Sequence, residues 1–391
     1  MQNRNGLFTL ILAYLSFIGL GMLDSLLGVA WPSIREGFGL PLDALGVLLI
    51  AGTVGFFLAG VFSGQLVAGL GMGPLLVGGQ VLRTLGALGY GLAPGWGGLI
   101  VAGLLAGTGA GLIDSGLNNY VSARYSAGRL NWLHAAYGIG ATLGPLLFTA
   151  LLDRAVAWQV PYRIVGVGQV VLLTAFLLTL PRWRVAPDGE DAAAPAPHAT
   201  VLATLRLPAV WLGIALFFLY TGVEVSAGQW AFTLFTEGRG VAAARAGFWV
   251  SVYWATFTAG RILLGFIADG LNTERLLRAS LLSTAVGAVL LWWNPLALVG
   301  FLGLALMGLG MAPIYPGMIA LTPRWAGRGH TSNAIGFQVG AASLGVAGLP
   351  ALAGVLAERA GLWAVAPFLL VGTAIMYAVF ELGRGLHRTT P

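Results

Sequence analysis

The sequence contains no cysteine and no lysine, and it has few charged residues of either sign. The absence of cysteine excludes disulfides, thiolate metal sites and cysteine nucleophiles. Only 9% of the 391 residues are charged, whereas about 25% are charged in a typical soluble domain. An ordinary soluble protein is therefore excluded.

Long apolar segments fill most of the chain, which is 58% hydrophobic and contains 60 glycines. A membrane-spanning helix needs about 20 predominantly apolar residues, and abundant glycine is typical of closely packed membrane helices. The first segment follows MQNRNG without a signal-peptide cleavage site, so we expect it to be retained. The pattern predicts an all-α membrane protein with twelve transmembrane helices, near residues 7–32, 43–68, 73–93, 96–122, 130–152, 161–181, 208–235, 242–269, 276–294, 295–320, 331–357 and 361–383.

The arginines lie at the ends of the apolar segments and do not form one basic cluster. No window combines clustered arginine with interleaved aromatic residues, so the net charge of +6 does not indicate a nucleic-acid partner. Twelve arginines fall at the ends that we assign to the cytoplasm and six at the opposite ends. By the positive-inside rule we expect a multi-pass protein of the bacterial cytoplasmic (inner) membrane, with both termini in the cytoplasm.

A polar stretch rich in proline and alanine, residues 182–207, separates the first six segments from the last six. It predicts a cytoplasmic linker between two six-helix bundles, residues 1–181 and 208–391. The halves resemble each other at an offset near 200 residues: Gly21, Ser25 and Gly28 match Gly222, Ser226 and Gly228, while Gly107 and Gly109 match Gly308 and Gly310. Pseudo-symmetric parallel halves with a substrate site between them describe the major facilitator fold.

Three carboxylates lie well inside predicted spans: Asp24, Asp114 and Glu224. A charge at membrane depth is costly unless it is paired, protonated or wetted, so each is a candidate functional group. Desolvation disfavours the charged form of a carboxyl group. We therefore predict that all three couple transport to protons. The alternative is a permanent ion pair or a structural hydrogen bond.

Arg83 lies about ten residues into the third segment, between apolar neighbours. A buried arginine needs an acidic partner, and we predict that Arg83 pairs with Asp24 or Asp114. The alternative is direct contact with an anionic substrate. A second candidate pair is Arg261 with Asp269, which ends a Gly-x-x-x-Asp turn after the eighth segment and could act as a conformational latch.

Polar side chains in several segments are candidates for substrate binding. Asn118 shares a helix face with Asp114, and His134 shares one with Tyr137. Amides in membrane helices also bond between helices, and aromatic residues also pack or lie at the interface. The predicted substrate-binding residues are Asp114, Asn118, His134, Tyr137, Gln229, Tyr315, Asn333 and Gln338.

Three motifs carry a family resemblance: GTGAGLIDSGLNNYV from Gly107, RLNWLHAAYGIGATLGP from Arg129 and GLGMAPIYPGMIAL from Gly308. With them the chain resembles the fucose–galactose–glucose:proton symporter branch of the major facilitator superfamily. The resemblance implies that Asp24 and Asp114 serve proton coupling and sugar binding. It also implies that His134 and Tyr137, where that branch has amides, contact the sugar.

We therefore expect a monomeric transporter that imports a sugar or similar polyhydroxylated solute with protons by alternating access. The alternatives are proton-coupled efflux of amphipathic compounds or lipids, and an uncoupled sugar uniporter. A non-transporting nutrient receptor is disfavoured because the chain has no large soluble signalling domain. The sequence offers no nucleophile, metal cluster or phosphate loop, so we expect neither an enzyme nor a cofactor or metal site.

Overall fold

The computed structural model describes residues 2–183, 199–267 and 272–389, and these residues are helical with no β-strand among them. Each of the twelve predicted segments is helical over most of its described residues. In the first half the helices are α1 (Gln2–Phe38), α2 (Leu45–Leu70), α3 (Met72–Leu92), α4 (Trp96–Arg124), α5 (Ala127–Leu152) and α6 (Gln159–Thr179).

The second half begins with a short helix and continues with six membrane segments. The helices are α7 (Val201–Leu205), α8 (Pro208–Thr236), α9 (Ala243–Ile267), α10 (Thr273–Trp293), α11 (Ala297–Met311), α12 (Ile314–Ala326), α13 (Thr331–Ala360) and α14 (Val365–Thr389). Ten of the described helical segments are long and apolar enough to cross a membrane. With the 21-residue α3 and the 25-residue α9 they form the twelve-helix, multi-pass membrane architecture that the sequence predicts.

Two predicted segments differ from the structure in detail. The tenth segment is one apolar stretch, Ala297–Ala326, but its helix is interrupted at Ala312 and Pro313, because proline supplies no backbone N–H and fixes φ. The predicted linker is described only at its two ends. Near its start the buried Trp183 ring packs against Phe176 with 5.1 Å between centroids, and its end contains α7.

The chain forms two compact units, Met1–Ala186 with Ala231–Ala255, and Pro187–Trp230 with Thr256–Pro391. In the first unit α1 packs against α5 and α6, while α4 packs against α2 and α3. In the second unit α10 packs against α11, α12 and α14. The division into bundles at residues 182–207 stays a prediction.

Close packing through glycine recurs in the two halves with the spacing that the sequence repeat predicts. A β-carbon at Gly109 would overlap the backbone nitrogen of Arg83, so α3 and α4 touch backbone to backbone. A β-carbon at Gly310, 201 residues further on, would likewise crowd the backbone nitrogen of Thr284 between α10 and α11. Two more contacts recur at this spacing. Gly86 packs on Ala106 as Gly287 packs on Met307, and Gly116 packs on Leu76 as Gly317 packs on Leu277.

Candidate functional site

Asp24 and Arg83 form an ion pair inside the first unit. The Arg83 Nη2 atom donates to the Asp24 Oδ1 atom at 2.6 Å. The side chain of Arg83 is 2% exposed, whereas that of Asp24 is 40% exposed. The pair therefore has a buried cationic end and an open anionic end, and the sequence-predicted partner of Arg83 is Asp24.

Three helices hold the Arg83 guanidinium in place. Besides Asp24 it donates to two backbone carbonyl oxygens, that of Leu20 on α1 at 2.8 Å and that of Ala106 on α4 at 3.1 Å. Its Nε atom is buried without a hydrogen-bond partner. Because residue 109 is glycine, α4 lies close to α3 and the Ala106 carbonyl is within reach of Arg83. We call this backbone contact between Gly109 and Arg83 the glycine seam.

Asp114 lies in the middle of α4 and is partly exposed. Within the described ranges no salt bridge reaches it, although it interacts electrostatically with Asp24. Asn118, one turn further along α4, donates its side-chain amide to the Asp114 backbone carbonyl at 2.9 Å. The structure thus brings together the two membrane-depth acids of the first half, Asp24 and Asp114, and pairs Arg83 with Asp24 alone.

The two fifth-helix candidates, Tyr137 and His134, differ in their contacts. The Tyr137 hydroxyl donates to the Asp24 Oδ2 atom at 3.2 Å. His134, one turn earlier, is exposed and packs edge-on against Phe17 with 5.8 Å between ring centroids. We name Asp24, Asp114, Asn118 and Tyr137 the polar face of the first unit, because all four are partly exposed.

A second polar cluster, formed by Glu224, Tyr220 and Arg261, lies in the second unit. The Tyr220 hydroxyl is hydrogen-bonded to Glu224 and accepts from Arg261 Nη2 at 3.4 Å. The Arg261 guanidinium also lies 4.2 Å from the centre of the Phe257 ring. Tyr315, a predicted ligand residue, packs on Tyr220 with 6.1 Å between ring centroids. Arg261 is therefore held near Glu224, while its predicted partner Asp269 lies outside the described residues.

The predicted amide ligands of the second half are engaged in packing. Gln338 is 3% exposed and accepts from the Thr322 hydroxyl at 3.0 Å. Gln229 is 6% exposed. The Asn333 amide donates to the Ala199 carbonyl at 2.8 Å and to the Thr204 hydroxyl at 3.2 Å. Asn333 thereby ties the described end of the linker to α13, and its ligand role stays a prediction.

We expect Asn333→Ala to lower the stability of the purified protein, because two hydrogen bonds that hold the 199–205 segment are lost. The expected loss is about 1–2 kcal/mol, measured as a lower midpoint of thermal unfolding in detergent. Asn119→Ala, which removes an exposed amide on α4, is the matched control and should leave the midpoint unchanged. Equal midpoints for the two variants would contradict the anchoring role.

Tyr90 belongs to the surroundings of the ion pair and was absent from the sequence-based candidates. It lies two helical turns after Arg83 on α3, interacts electrostatically with both Arg83 and Asp24, and stacks on Tyr162 at 5.0 Å. Its spacing of seven residues from Arg83 is the signal that could have identified it. No sequence signal identifies the Leu20 and Ala106 carbonyls as partners of Arg83, because every residue type has a main-chain carbonyl. In the described part of the chain no three His, Asp or Glu side chains converge as metal ligands.

Acidic and amide side chains at membrane depth, on helices that otherwise pack through glycine, are typical of carriers, since a polar solute must cross the apolar layer beside them. Comparison with protein families makes this assignment specific. Residues 13–297 and 230–390 match the Major Facilitator Superfamily, and the chain belongs to this family.

Among curated relatives, the glucose/mannose transporter GlcP of Bacillus subtilis is 26% identical over 80% of this chain and 79% of its own length. The sodium-dependent glucose transporter 1A of Mus musculus is 24% identical over 94% and 93%. Both are transporters, and the prediction that the chain is not an enzyme is confirmed.

The solved structures that resemble the chain share its fold at low sequence identity. A bacterial homologue of the human lysosomal transporter Spinster, inward-facing and occupied, has a TM-score of 0.76 at 13% identity, covering 97% of this chain and 96% of that one. FucP in the outward conformation has a TM-score of 0.64 at 17% identity, covering 96% and 98%. FucP is the fucose:proton symporter of E. coli. The predicted membership of the major facilitator superfamily is confirmed, and the fold of the chain is that of a member of the branch which its motifs resemble.

Proposed function

We propose that this chain is a secondary carrier that imports a sugar, or a similar polyhydroxylated solute, together with protons by alternating access. It works as a monomer in the bacterial cytoplasmic membrane with both termini inside the cell. The predicted bundles 1–181 and 208–391, joined by the linker 182–207, would each contribute residues that contact the solute.

Asp114 carries the proposal. It is a partly exposed acid in the middle of a membrane helix, and among the described residues no basic side chain forms an ion pair with it. An acid at this depth without a fixed counter-charge can bind a proton when the site loses water and release it when the site is wetted. That exchange is the elementary step of proton coupling.

The sugar class is supported by the relatives and by the chemistry of the polar face. GlcP carries glucose and mannose, and FucP carries fucose with a proton, by their names. Carboxylate, amide and phenol groups can accept from and donate to the many hydroxyls of a sugar. Asn118, His134 and Tyr137 would contact the solute from the first half, and Gln229, Tyr315, Asn333 and Gln338 from the second, where Glu224 is a further proton-coupling group.

The test is sugar-driven proton entry into proteoliposomes that enclose a pH-sensitive dye. Purified protein would be challenged with glucose, mannose, galactose and fucose in sodium-free buffer, and then again with sodium outside. Vesicles without protein and vesicles treated with a protonophore are the controls. We expect at least one sugar to acidify the lumen without sodium and to lose this effect with the protonophore.

The outcomes separate the competing carrier functions. Sugar entry that needs sodium and moves no protons would replace proton coupling by sodium coupling. Sugar exchange without any ion movement would indicate a uniporter. If no sugar is bound or moved, and apolar cations or lipids are released instead, the protein is an exporter and the sugar proposal is wrong.

A further inference from the structure

An open cavity of about 490 Å³ lies where α1 packs against α5, at the end of the first unit where α5 begins. It is lined by Tyr14 of α1 and by Ser126, Gly128, Arg129 and Trp132 at the start of α5. The Tyr14 hydroxyl donates to the Arg129 backbone carbonyl at 3.1 Å and so joins the two helices beside the cavity. None of these residues belongs to the polar face of the first unit.

The cavity opens on the side of α5 that faces away from the polar face. Ile139 and Leu143 follow Trp132 at spacings of seven and eleven residues, and all three side chains are exposed on one side of the helix. Tyr137, which contacts Asp24, comes five residues after Trp132 and therefore lies about 140° away around the helix. Polar groups of membrane helices face the bundle interior, so the stripe that contains Trp132 faces the lipid chains.

Two arginines border the exposed apolar surface of α1 at this end. Arg129 is exposed in the first turn of α5, and no salt bridge reaches it in the part of the chain that the structure describes. Arg182, which follows α6, is also exposed, and its guanidinium lies 5.8 Å from the centre of the Phe8 ring. Phe8, Ile11 and Leu15 are exposed apolar side chains of α1. Cationic groups thus meet a lipid-facing apolar surface.

This combination selects a ligand with a phosphate group and apolar chains. Arginine binds phosphate through strong charge-assisted hydrogen bonds, and tryptophan and tyrosine favour the level of the lipid head groups. The positive-inside count places this end of the helices in the cytoplasm, where basic side chains beside a membrane segment attract anionic lipids. A zwitterionic lipid gains less, because its own cation offsets its phosphate. A soluble phosphate compound would leave the apolar surface uncovered.

We propose that the cavity between α1 and α5 binds an anionic phospholipid. Its phosphate lies on Arg129 beside Trp132, and its acyl chains follow the exposed apolar residues of α1 and α5. Arg182 adds a second positive charge at the edge of the same surface. The inference does not rest on the sugar or on proton coupling, because its ligand comes from the membrane and its test requires no transport.

The test is equilibrium binding of phosphatidylglycerol and of phosphatidylcholine with the same acyl chains to the purified full-length protein in detergent, counted by native mass spectrometry. Arg129→Gln removes the charge, and Arg129→Lys keeps it. The backbone acceptor of Tyr14 is unaffected by either change. The matched control is Arg154→Gln, which removes an exposed arginine just beyond the other end of α5. The thermal unfolding midpoint reports whether each variant is folded.

We expect the wild type to bind its first phosphatidylglycerol about fivefold more tightly than phosphatidylcholine, as for one basic side chain at the membrane surface. Arg129→Gln should lose this preference and bind phosphatidylcholine as the wild type does. Arg129→Lys and Arg154→Gln should keep it. Trp132→Leu should weaken the binding of both lipids, because it removes the aromatic side of the cavity.

Four results would overturn the proposal. Equal affinity of the wild type for the two lipids would mean that charge selects no lipid here. An equal loss in Arg129→Gln and Arg154→Gln would trace the preference to the overall positive charge of the protein. Displacement of phosphatidylglycerol by millimolar glycerol 3-phosphate would make the ligand a soluble phosphate compound. If Arg129→Gln does not fold, Trp132→Leu still tests the cavity, and unchanged phosphatidylglycerol affinity in that variant would contradict the site.

Discussion

Replacing Asp114 with asparagine should abolish sugar-driven proton entry while sugar exchange continues. Asparagine has the size of aspartate and keeps the neighbouring hydrogen bond from Asn118, which is made to the backbone carbonyl, but it cannot take up a proton. Proton entry should fall to the leak of protein-free vesicles. Exchange of labelled for unlabelled sugar across the vesicle membrane should persist at a reduced rate, because Asp114 is also a predicted substrate-binding residue.

The control for this variant is Asp153→Asn, an exposed acid just after the end of α5. It makes the same chemical change outside the membrane segments and should retain proton entry. Persistent sugar-driven acidification in Asp114→Asn would show that another group carries the proton. Glu224 would then be the next variant to make, because it is the acid of the second cluster.

Replacing Arg83 with methionine should destabilise the protein strongly, because it leaves Asp24 without its counter-charge. Breaking a buried ion pair costs about 3–5 kcal/mol, and we expect about 3 here, since the exposed side of Asp24 can still be solvated. The stem of methionine fills part of the space of the arginine stem, so the loss of packing is small. The expected result is a clear fall in the thermal unfolding midpoint in detergent.

Adding Asp24→Asn to this variant should restore most of the lost stability, because neither charge then remains alone. Arg278→Met, which breaks an exposed pair with Glu381, should change the midpoint very little. If Arg83→Met is no less stable than Arg278→Met, the Asp24–Arg83 pair does not contribute to the stability of the protein.

The membrane helices can be predicted from the sequence because each needs a long apolar run and leaves its backbone no other way to satisfy its hydrogen bonds. The exceptions are local. The break at Ala312 and Pro313 lies inside an uninterrupted apolar run, and hydropathy cannot report a missing N–H. Trp183 lies two residues after Pro181 and precedes a polar stretch, so its burial depends on packing that only the fold creates.

The site could be predicted in its residue types but not in its connections. Asp24, Asp114 and Arg83 are conspicuous because charge is rare in these helices. Which acid receives the arginine depends on the rotation of α1, α3 and α4 about their axes. The hydrogen bonds from Arg83 to the Leu20 and Ala106 carbonyls orient its side chain toward Asp24. These main-chain contacts cannot be predicted from the sequence. Asn333 is a further example, since nothing in the sequence shows that its amide is hydrogen-bonded to Ala199 and Thr204.

The glycine contact beside the buried arginine occurs at the corresponding position in both halves of the chain. Gly109 on Arg83 and Gly310 on Thr284 are the same contact made twice, as expected of two halves descended from one duplicated segment. In the second half Gly310 packs against Thr284, so this close contact between helices does not require a charged residue. The two copies differ at this position, and the arginine of the first half is the counter-charge of Asp24.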